Sequence, residues 1–207
     1  MSLPALLRTD LSTLPEAAIP YLSAAPERTA AWAQRLGGDD AAAPPRALRV
    51  GLVWRGNPIH PNDAERSLPG LATLAPLASV TGVRFVSLQT EPALETGRDA
   101  GALAFDPPPR PLGSELRDFA DTAAVLAALD LLICVDTSIA HLAGALGRPC
   151  WVLLPRRKTD WRWLHERDDS PWYPVGMRLF RQTARGDWAA VVERVRTALA
   201  ALAEAHR

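Results

Sequence analysis

The sequence predicts an α/β fold, a Rossmann-like doubly wound parallel sheet, and two observations support that prediction. From residue 48 onward, short apolar runs alternate with amphipathic segments. Parallel strands are buried on both faces because helices cover them, so continuous apolar runs between helices are typical of such a sheet. In addition, 48% of the 207 residues are hydrophobic, which is enough to bury the core of one substantial domain.

The individual elements follow from periodicity, turn residues and helix-capping residues. Apolar runs predict strands over 48–54, 83–88, 131–135, 150–154 and 178–181, with a weak strand over 102–105. Helices are predicted over 26–36, 68–80, 92–100 and 137–146, with a further helix that Asp121 caps and that ends at Leu129, and a final helix from Asp187 to about Ala203. The proline-rich residues 107–111 are predicted as an irregular loop.

The front of the chain, residues 1–46, has a different composition from the rest. It is rich in proline and alanine and ends in a Gly/Asp/Ala/Pro tract over 37–45, which is typical of a surface linker. We therefore expect residues 1–46 to connect to something upstream or to lie as a strap across the main body. Residues 47–207 are then the main domain, with the C-terminal helix included.

Composition and charge exclude several classes of protein. The 23 basic residues balance the 23 acidic ones, which argues against a general nucleic-acid binder. The only cysteines, Cys134 and Cys150, stand in apolar runs and are expected to be buried reduced thiols, as in a cytoplasmic protein. No apolar run is long enough for a membrane span, and the first residues do not resemble a signal peptide, so a soluble protein is expected.

Motifs for common cofactors and for metals are missing from the sequence. It contains neither the phosphate-binding GxxxxGK[ST] nor the GxGxxG of nicotinamide-binding domains, and its four histidines are scattered. We therefore expect no cofactor and no metal ion.

The strongest candidate site is the end of the predicted strand 131–135, where Asp136 is followed by Thr137, Ser138 and His141. The free N–H groups at a helix start favour an anion such as phosphate, and small hydroxyl side chains let the anion approach. Asp136 beside it is suited to hold sugar hydroxyls, and His141 lies on the same helical face as Thr137. The alternatives are that Asp136 is only a helix N-cap and that His141 is a structural histidine.

Three other strand ends carry polar residues at the same predicted edge. The long loop 54–69 contains Arg55, Gly56, Asn57 and Arg66, and Arg66 is suited to stabilise a leaving diphosphate, although a solvated arginine is the alternative. Gln89 ends the strand 83–88 and is suited to bond a ribose or base, or else forms a polar turn. The loop 155–164 combines cations with tryptophans and either covers a ligand or is a solvated loop.

Taken together, five blocks in a fixed order resemble the C-terminal half of bacterial glycosyltransferases linked to tetratricopeptide repeats. These are similar to the heptosyltransferases of glycosyltransferase family 9 and, more distantly, to O-linked N-acetylglucosamine transferases. One departure is Ser138, which stands where heptosyltransferases commonly have glycine. The blocks lie at 51–58, 85–89, 118–123, 135–149 and 160–163.

The resemblance implies one half of a GT-B fold, the half that binds a nucleoside-diphosphate sugar for inverting, metal-independent transfer. It implies that Asp136 contacts sugar hydroxyls, that Thr137 and Ser138 hold the diphosphate, that His141 supports the site and that Arg66 contacts the phosphates. The matching acceptor half and the repeats are not among these residues, so the chain alone is expected to bind donor and is not expected to turn over unaided.

Two other classes of function stay open at this stage. The chain fits a non-catalytic interaction module that keeps the half-fold, and it also fits a protein similar to sugar-nucleotide epimerases, which share the GT-B architecture. A face that the acceptor half would cover is also suited to form a homodimer.

Overall fold

The fold is a six-stranded sheet whose strands are all parallel, in the order β3-β2-β1-β4-β5-β6. The computed structural model describes residues 3–14, 20–37, 47–90, 105 and 107–207. This order is that of the doubly wound dinucleotide-binding folds, and it confirms the predicted α/β class. The strands are β1 (Leu48–Val53), β2 (Val83–Ser87), β3 (Arg110–Pro111), β4 (Leu131–Val135), β5 (Cys150–Leu154) and β6 (Met177–Arg181).

Helices cover both faces of the sheet, as the predicted layer order requires. The α-helices are α1 (Leu3–Leu6), α2 (Pro26–Gly37), α3 (Asp63–Arg66), α4 (Phe119–Ala128), α5 (Ser138–Ala145) and α6 (Trp188–Ala205). Shorter 3₁₀ helices occupy Leu71–Ser79, Gly113–Glu115 and Trp161–Trp163.

Two apolar cores lie on opposite faces of the sheet, because side chains along each strand alternate between the faces. One core joins β-strand residues such as Leu132 and Cys134 to α2, α4 and α5. The other joins Leu131 and Ile133 to the 3₁₀ helix Leu71–Ser79 and to α6. Every residue of β4 and β5 is buried, which explains their unbroken apolar sequence.

The predicted helix over 68–80 is a 3₁₀ helix over Leu71–Ser79 and not an α-helix. Pro76 lies inside it, and a proline there removes a backbone donor and clashes with the preceding turn of an α-helix. Residues Arg110–Pro111, predicted as loop, form the short edge strand β3, a position that tolerates proline because one side needs no partner.

Asp121 does not cap α4, contrary to the prediction. The N-cap is Asp118, whose side chain accepts a hydrogen bond from the Asp121 backbone N–H. Asp121 lies in the first turn, where its buried carboxylate forms ion pairs with Arg28 and Arg117. The sequence offers both aspartates three residues apart and Arg28 of α2 pairs with both, so what separates their roles is that Asp118 accepts the Asp121 N–H whereas Asp121 pairs with Arg117.

The front of the chain contacts the main body where it is described. α2 packs on α4, and Arg28 of α2 pairs with Asp118 and Asp121. The division at residues 46 and 47 stays a prediction. The predicted linker tract beyond Gly37, the helix over 92–100 and the strand over 102–105 up to Phe105 lie outside the described residues.

The two cysteines are free and buried, as predicted, with their sulfurs 3.8 Å apart on neighbouring strands. Burial raises the pKa of the Cys134 thiol, so the thiol stays protonated and unreactive. Among the described residues, the longest helix is not apolar enough, nor are the others long enough, to cross a membrane.

Candidate functional site

The candidate site lies at the carboxyl ends of β1 and β4, the neighbouring strands where the order of the sheet reverses. Ligands of open α/β sheets bind in the crevice at such a switch point. Two adjoining cavities open there, of about 770 Å³ and about 600 Å³. We call them the β1 cavity and the β5 cavity, after the strand whose following loop lines each. Arg66, Thr137 and Ser138 line both of them.

The start of α5 separates the two cavities at their base. Thr137 is its N-cap, and the Thr137 hydroxyl accepts a hydrogen bond from the Ile139 N–H at 3.2 Å. Asp136 is therefore not the cap, so that alternative is wrong. Ser138 is exposed at the first position of the helix. The arrangement leaves a helix N-terminus with two small hydroxyl side chains facing open space, which favours an anion.

Arg66 stands opposite this helix start, at the end of α3. Its side chain is only 13% exposed, and among the described residues it forms one ion pair, in which Nε lies 3.5 Å from the Asp63 carboxylate. The guanidinium Nε is buried without a hydrogen-bond partner among the described residues. Gly56 makes room for it, since a Cβ at that position would lie 2.7 Å from the guanidinium. A buried guanidinium with an unused donor is energetically costly unless an anion satisfies it.

A small network that the sequence did not reveal holds the loop after β1. The Ser67 hydroxyl donates to the buried Asp63 carboxylate at 2.7 Å and accepts from the Gly56 N–H at 2.9 Å. Asp63 and Ser67 are both 8% exposed. Their four-residue spacing is the available sequence signal, but nothing in the sequence shows that Gly56 completes the network.

Asp136 is buried and uses both carboxylate oxygens within the protein. Its Oδ1 accepts from the Trp163 indole N–H at 2.8 Å, and its Oδ2 accepts from the Asp160 N–H at 3.0 Å. Asp136 thereby fastens the loop after β5 over the start of α5. It also lines the β5 cavity, and its predicted contact with sugar hydroxyls stays a prediction.

His141 lies one helical turn along α5 and also lines the β5 cavity. Its ring stacks on Trp163, with centroids 4.7 Å apart and planes 11° from parallel. Its Nδ1 lies 3.1 Å from the Tyr173 hydroxyl. Desolvation lowers the pKa of His141, against the opposing charges of Asp160 and Asp136, so the imidazole is neutral at physiological pH.

The remaining predicted residues line the β1 cavity. Asn57 is exposed, and its side-chain oxygen accepts from the Ile59 N–H. Gln89 is buried, and its amide bonds the backbone N–H and C=O of Arg55 at 3.0 and 3.3 Å. The structure thus brings all the predicted residues to one crevice. Donor contacts by Arg55, Asn57 and Gln89 stay predictions.

The loop after β5 supplies part of the wall of the β5 cavity. Lys158 and Arg162 line it, and Arg162 forms a two-point contact with the Asp160 carboxylate, both at 3.0 Å. Trp163 is fully buried whereas Trp161 is half exposed. Only one of the two tryptophans therefore anchors the loop. No group of His, Cys, Asp and Glu suited to a metal ion occurs in the part of the chain that the structure describes.

Part of this site lies in a stretch of sequence that matches a known protein family. Residues 116–154 match glycosyltransferase family 9 (heptosyltransferase), a stretch that contains α4, β4, α5 and β5. Protein FlbA of Caulobacter vibrioides is 30% identical over 184 residues, covering 86% of this chain and 28% of FlbA. The chain thus spans less than a third of that curated relative.

Solved structures agree at the level of the fold. The ADP-heptose heptosyltransferase II of E. coli matches with a TM-score of 0.62 at 18% identity, over 88% of this chain and 53% of that one. A family 9 glycosyltransferase from Veillonella parvula gives a TM-score of 0.59 at 15% identity, with the same coverage. The chain is similar to glycosyltransferase family 9. These structural matches show that the fold of this chain is the parallel α/β fold found within those glycosyltransferases.

Proposed function

We propose that this chain binds a nucleoside-diphosphate sugar in the two adjoining cavities and serves as the donor half of an inverting, metal-independent glycosyltransferase. The observation that carries the proposal is the buried Arg66 guanidinium, which lines both cavities together with Thr137 and Ser138 at the start of α5. A diphosphate lying between Arg66 and Thr137 would pair with the guanidinium and accept hydrogen bonds from the free N–H groups of the helix.

The two cavities differ in chemistry, which favours one orientation of the donor. The β1 cavity includes apolar side chains of Leu88, Leu116 and Ile139, which suit the flat face of a base. The β5 cavity is lined by charged and polar groups such as Asp160 and Arg162, which suit sugar hydroxyls. With the diphosphate at the shared wall, the base would enter the first cavity and the sugar the second.

The reaction needs charge stabilisation at that shared wall. An acceptor oxygen attacks the anomeric carbon, the bond from that carbon to the diphosphate oxygen breaks, and the bonding electrons leave with the diphosphate. Arg66 and the N-terminus of α5 would stabilise the developing negative charge without a metal ion. The acceptor proton would go to a base in the acceptor half, which the family resemblance assigns to a separate domain.

Calorimetric titration with ADP, UDP, GDP and CDP tests the proposal. ADP leads the panel because heptosyltransferase WaaC of E. coli, which matches over 75% of this chain with a TM-score of 0.51, was solved with ADP. We expect at least one diphosphate to bind, and Arg66→Ala to weaken it at least tenfold. Arg196→Ala, which removes a guanidinium from an ion pair on the outer face of α6, is the matched control. The proposal fails if the folded chain binds none of the four.

The assignment as a donor half is supported by the share of the solved relatives that is matched, 53% for each of two of them. Linkage to tetratricopeptide repeats remains a proposal. Supplying the natural acceptor domain as a separate chain would test the assignment as a donor half, because transfer of labelled sugar should then require both proteins. Conversion of a free nucleotide sugar by this chain alone would instead favour the epimerase alternative.

A further inference from the structure

The loop after β1 carries a histidine, His60, that lines the β5 cavity. Its backbone is held on both sides. The His60 N–H donates to the carbonyl of Asn57 at 3.0 Å, and the His60 carbonyl accepts from the Asp63 N–H at 2.8 Å. The residue itself is exposed, so these backbone contacts, rather than burial of the side chain, fix where the imidazole ring lies.

One ring nitrogen of His60 is already used within the loop. The Asn62 backbone N–H donates to His60 Nδ1 at 3.1 Å. A backbone N–H can only donate, so Nδ1 must offer a lone pair, and a neutral imidazole of this kind carries its proton on Nε2. The tautomer of neutral His60 is therefore set by the loop itself, before any ligand binds.

Asn62 also joins this loop to the loop after β5. Its side-chain nitrogen Nδ2 donates to the carbonyl of Lys158 at 2.6 Å, and its own carbonyl accepts from the Arg66 N–H at 3.3 Å. Asn62, Lys158 and Arg66 line the same cavity as His60. The residue that sets the His60 tautomer is thus tied to both loops, and such preorganisation lowers the ordering cost of a contact made there.

We propose that His60 is a further ligand-binding residue of the β5 cavity, which donates from Nε2–H to an oxygen of the bound molecule. With Nδ1 turned to the backbone of Asn62, Nε2 is the nitrogen left for a ligand, and no described residue bonds it. An N–H donor suits a phosphate oxygen and a sugar hydroxyl alike. That the molecule is a nucleoside-diphosphate sugar rests on the proposed function, whereas the tautomer does not.

Nitrogen-15 NMR of the histidine side chains in the whole, ligand-free chain tests the proton position. We expect neutral His60 to show the Nε2–H form alone, and its signal is identified by its loss in His60→Gln. The exposed His165, which forms no hydrogen bond within the described part of the chain, should show both tautomers and is the internal comparison. A mixture at His60 like that at His165 overturns the proposal, as does an Nδ1–H form.

Two variants of His60 separate the ligand contact from the loop contact. In His60→Asn the side-chain oxygen still accepts the Asn62 N–H but nothing replaces Nε2–H, whereas in His60→Gln the amide nitrogen reaches the place of Nε2. Calorimetric titration uses ADP, UDP, GDP and CDP and their glucose conjugates. We expect about fivefold weaker binding in His60→Asn, the loss of about one hydrogen bond, and near-parent binding in His60→Gln. His165→Asn, at an exposed position outside both cavities, is the matched control and should leave binding unchanged.

The two kinds of ligand distinguish the two kinds of oxygen. Weaker binding of the diphosphate itself assigns the contact to a phosphate oxygen, and weaker binding of the glucose conjugate alone assigns it to a sugar hydroxyl. If the parent chain binds and His60→Asn binds both kinds as tightly, the proposed function stands and the contact by His60 is overturned. If the parent chain binds none of these ligands, the proposed function fails and the ligand contact fails with it.

Discussion

Two buried carboxylates flank the start of α5, and the protein uses them differently. Asp63 holds the loop after β1 through Ser67 and is paired at 3.5 Å with Arg66. Asp136 holds the loop after β5 through two uncharged N–H donors. The first arrangement places the Arg66 guanidinium in the wall of both cavities, whereas in the second both carboxylate oxygens accept hydrogen bonds from the protein. Burial of an acid is therefore a weak guide to its role until its partners are known.

The largest expected effect is on the Asp136 side of the comparison. Asp136→Ala leaves the Trp163 indole N–H and the Asp160 N–H unsatisfied and should lower the free energy of unfolding by about 3 to 5 kcal/mol. Asp136→Asn keeps one acceptor oxygen and should lose about half as much. Urea denaturation measures both. A loss under about 1 kcal/mol in Asp136→Ala would show that the loop after β5 does not depend on this carboxylate.

Arg66 should show the opposite profile, with a large effect on binding and a small one on stability. Arg66→Ala should weaken diphosphate affinity by about 10- to 100-fold, since hydrogen bonds to charged groups contribute about 1.5 to 3 kcal/mol. The ion pair that it forms within the described part of the chain is long, so the free energy of unfolding should change by about 1 kcal/mol or less. Calorimetry and urea denaturation on the same variant separate the two. If Arg66→Ala lost as much free energy of unfolding as free energy of binding, the contrast between the Asp63 and Asp136 arrangements would be wrong.

Ser67→Ala tests how far the Asp63 network stabilises the loop after β1. It removes two hydrogen bonds, from the Gly56 N–H and to Asp63, and should lower the free energy of unfolding by about 1 to 2 kcal/mol. Ser79→Ala is the matched control, because the Ser79 hydroxyl is exposed and bonds only the carbonyl of Pro76. A Ser67 variant as stable as the Ser79 variant would mean that the loop is held by other contacts.

The smallest expected effect concerns pH and belongs to the Asp136 side, where His141 stacks on Trp163. The pKa of His141 is lowered from its ordinary 6.5 by desolvation. A histidine of this kind binds its proton more readily in the unfolded chain, so stability should fall as pH drops below about 6.5 and stop falling below the folded pKa. Thermal denaturation between about pH 4 and pH 8, a range that spans the ordinary histidine pKa, measures how stability changes with pH.

In His141→Gln that part of the slope should disappear, whereas the exposed His165→Gln should keep it. A parent slope that survives in His141→Gln would assign the pH dependence to other groups.

Prediction of the secondary structure succeeded in some parts of the chain and failed in others, because different forces act there. Strands such as β4 and β5 are apolar throughout since both faces are buried, so their bounds matched the prediction. The run over 68–80 has the same apolar content, but Pro76 converts it to a 3₁₀ helix. The cap of α4 was misassigned because both Asp118 and Asp121 are suitable N-cap residues, and the backbone path, in which Asp118 accepts the Asp121 N–H, distinguishes them.

By itself the sequence determined the fold class, the edge of the sheet at which polar residues gather, and the approach of Arg66 to Thr137 and Ser138. These depend on local periodicity and on the rule that parallel strands end at one edge. Only the tertiary structure decided that Asp136 holds Trp163, that Gly56 makes room for Arg66, and that the Tyr173 hydroxyl meets His141. Those contacts join side chains far apart in the chain, and their partners are set by packing in three dimensions, which no local pattern records.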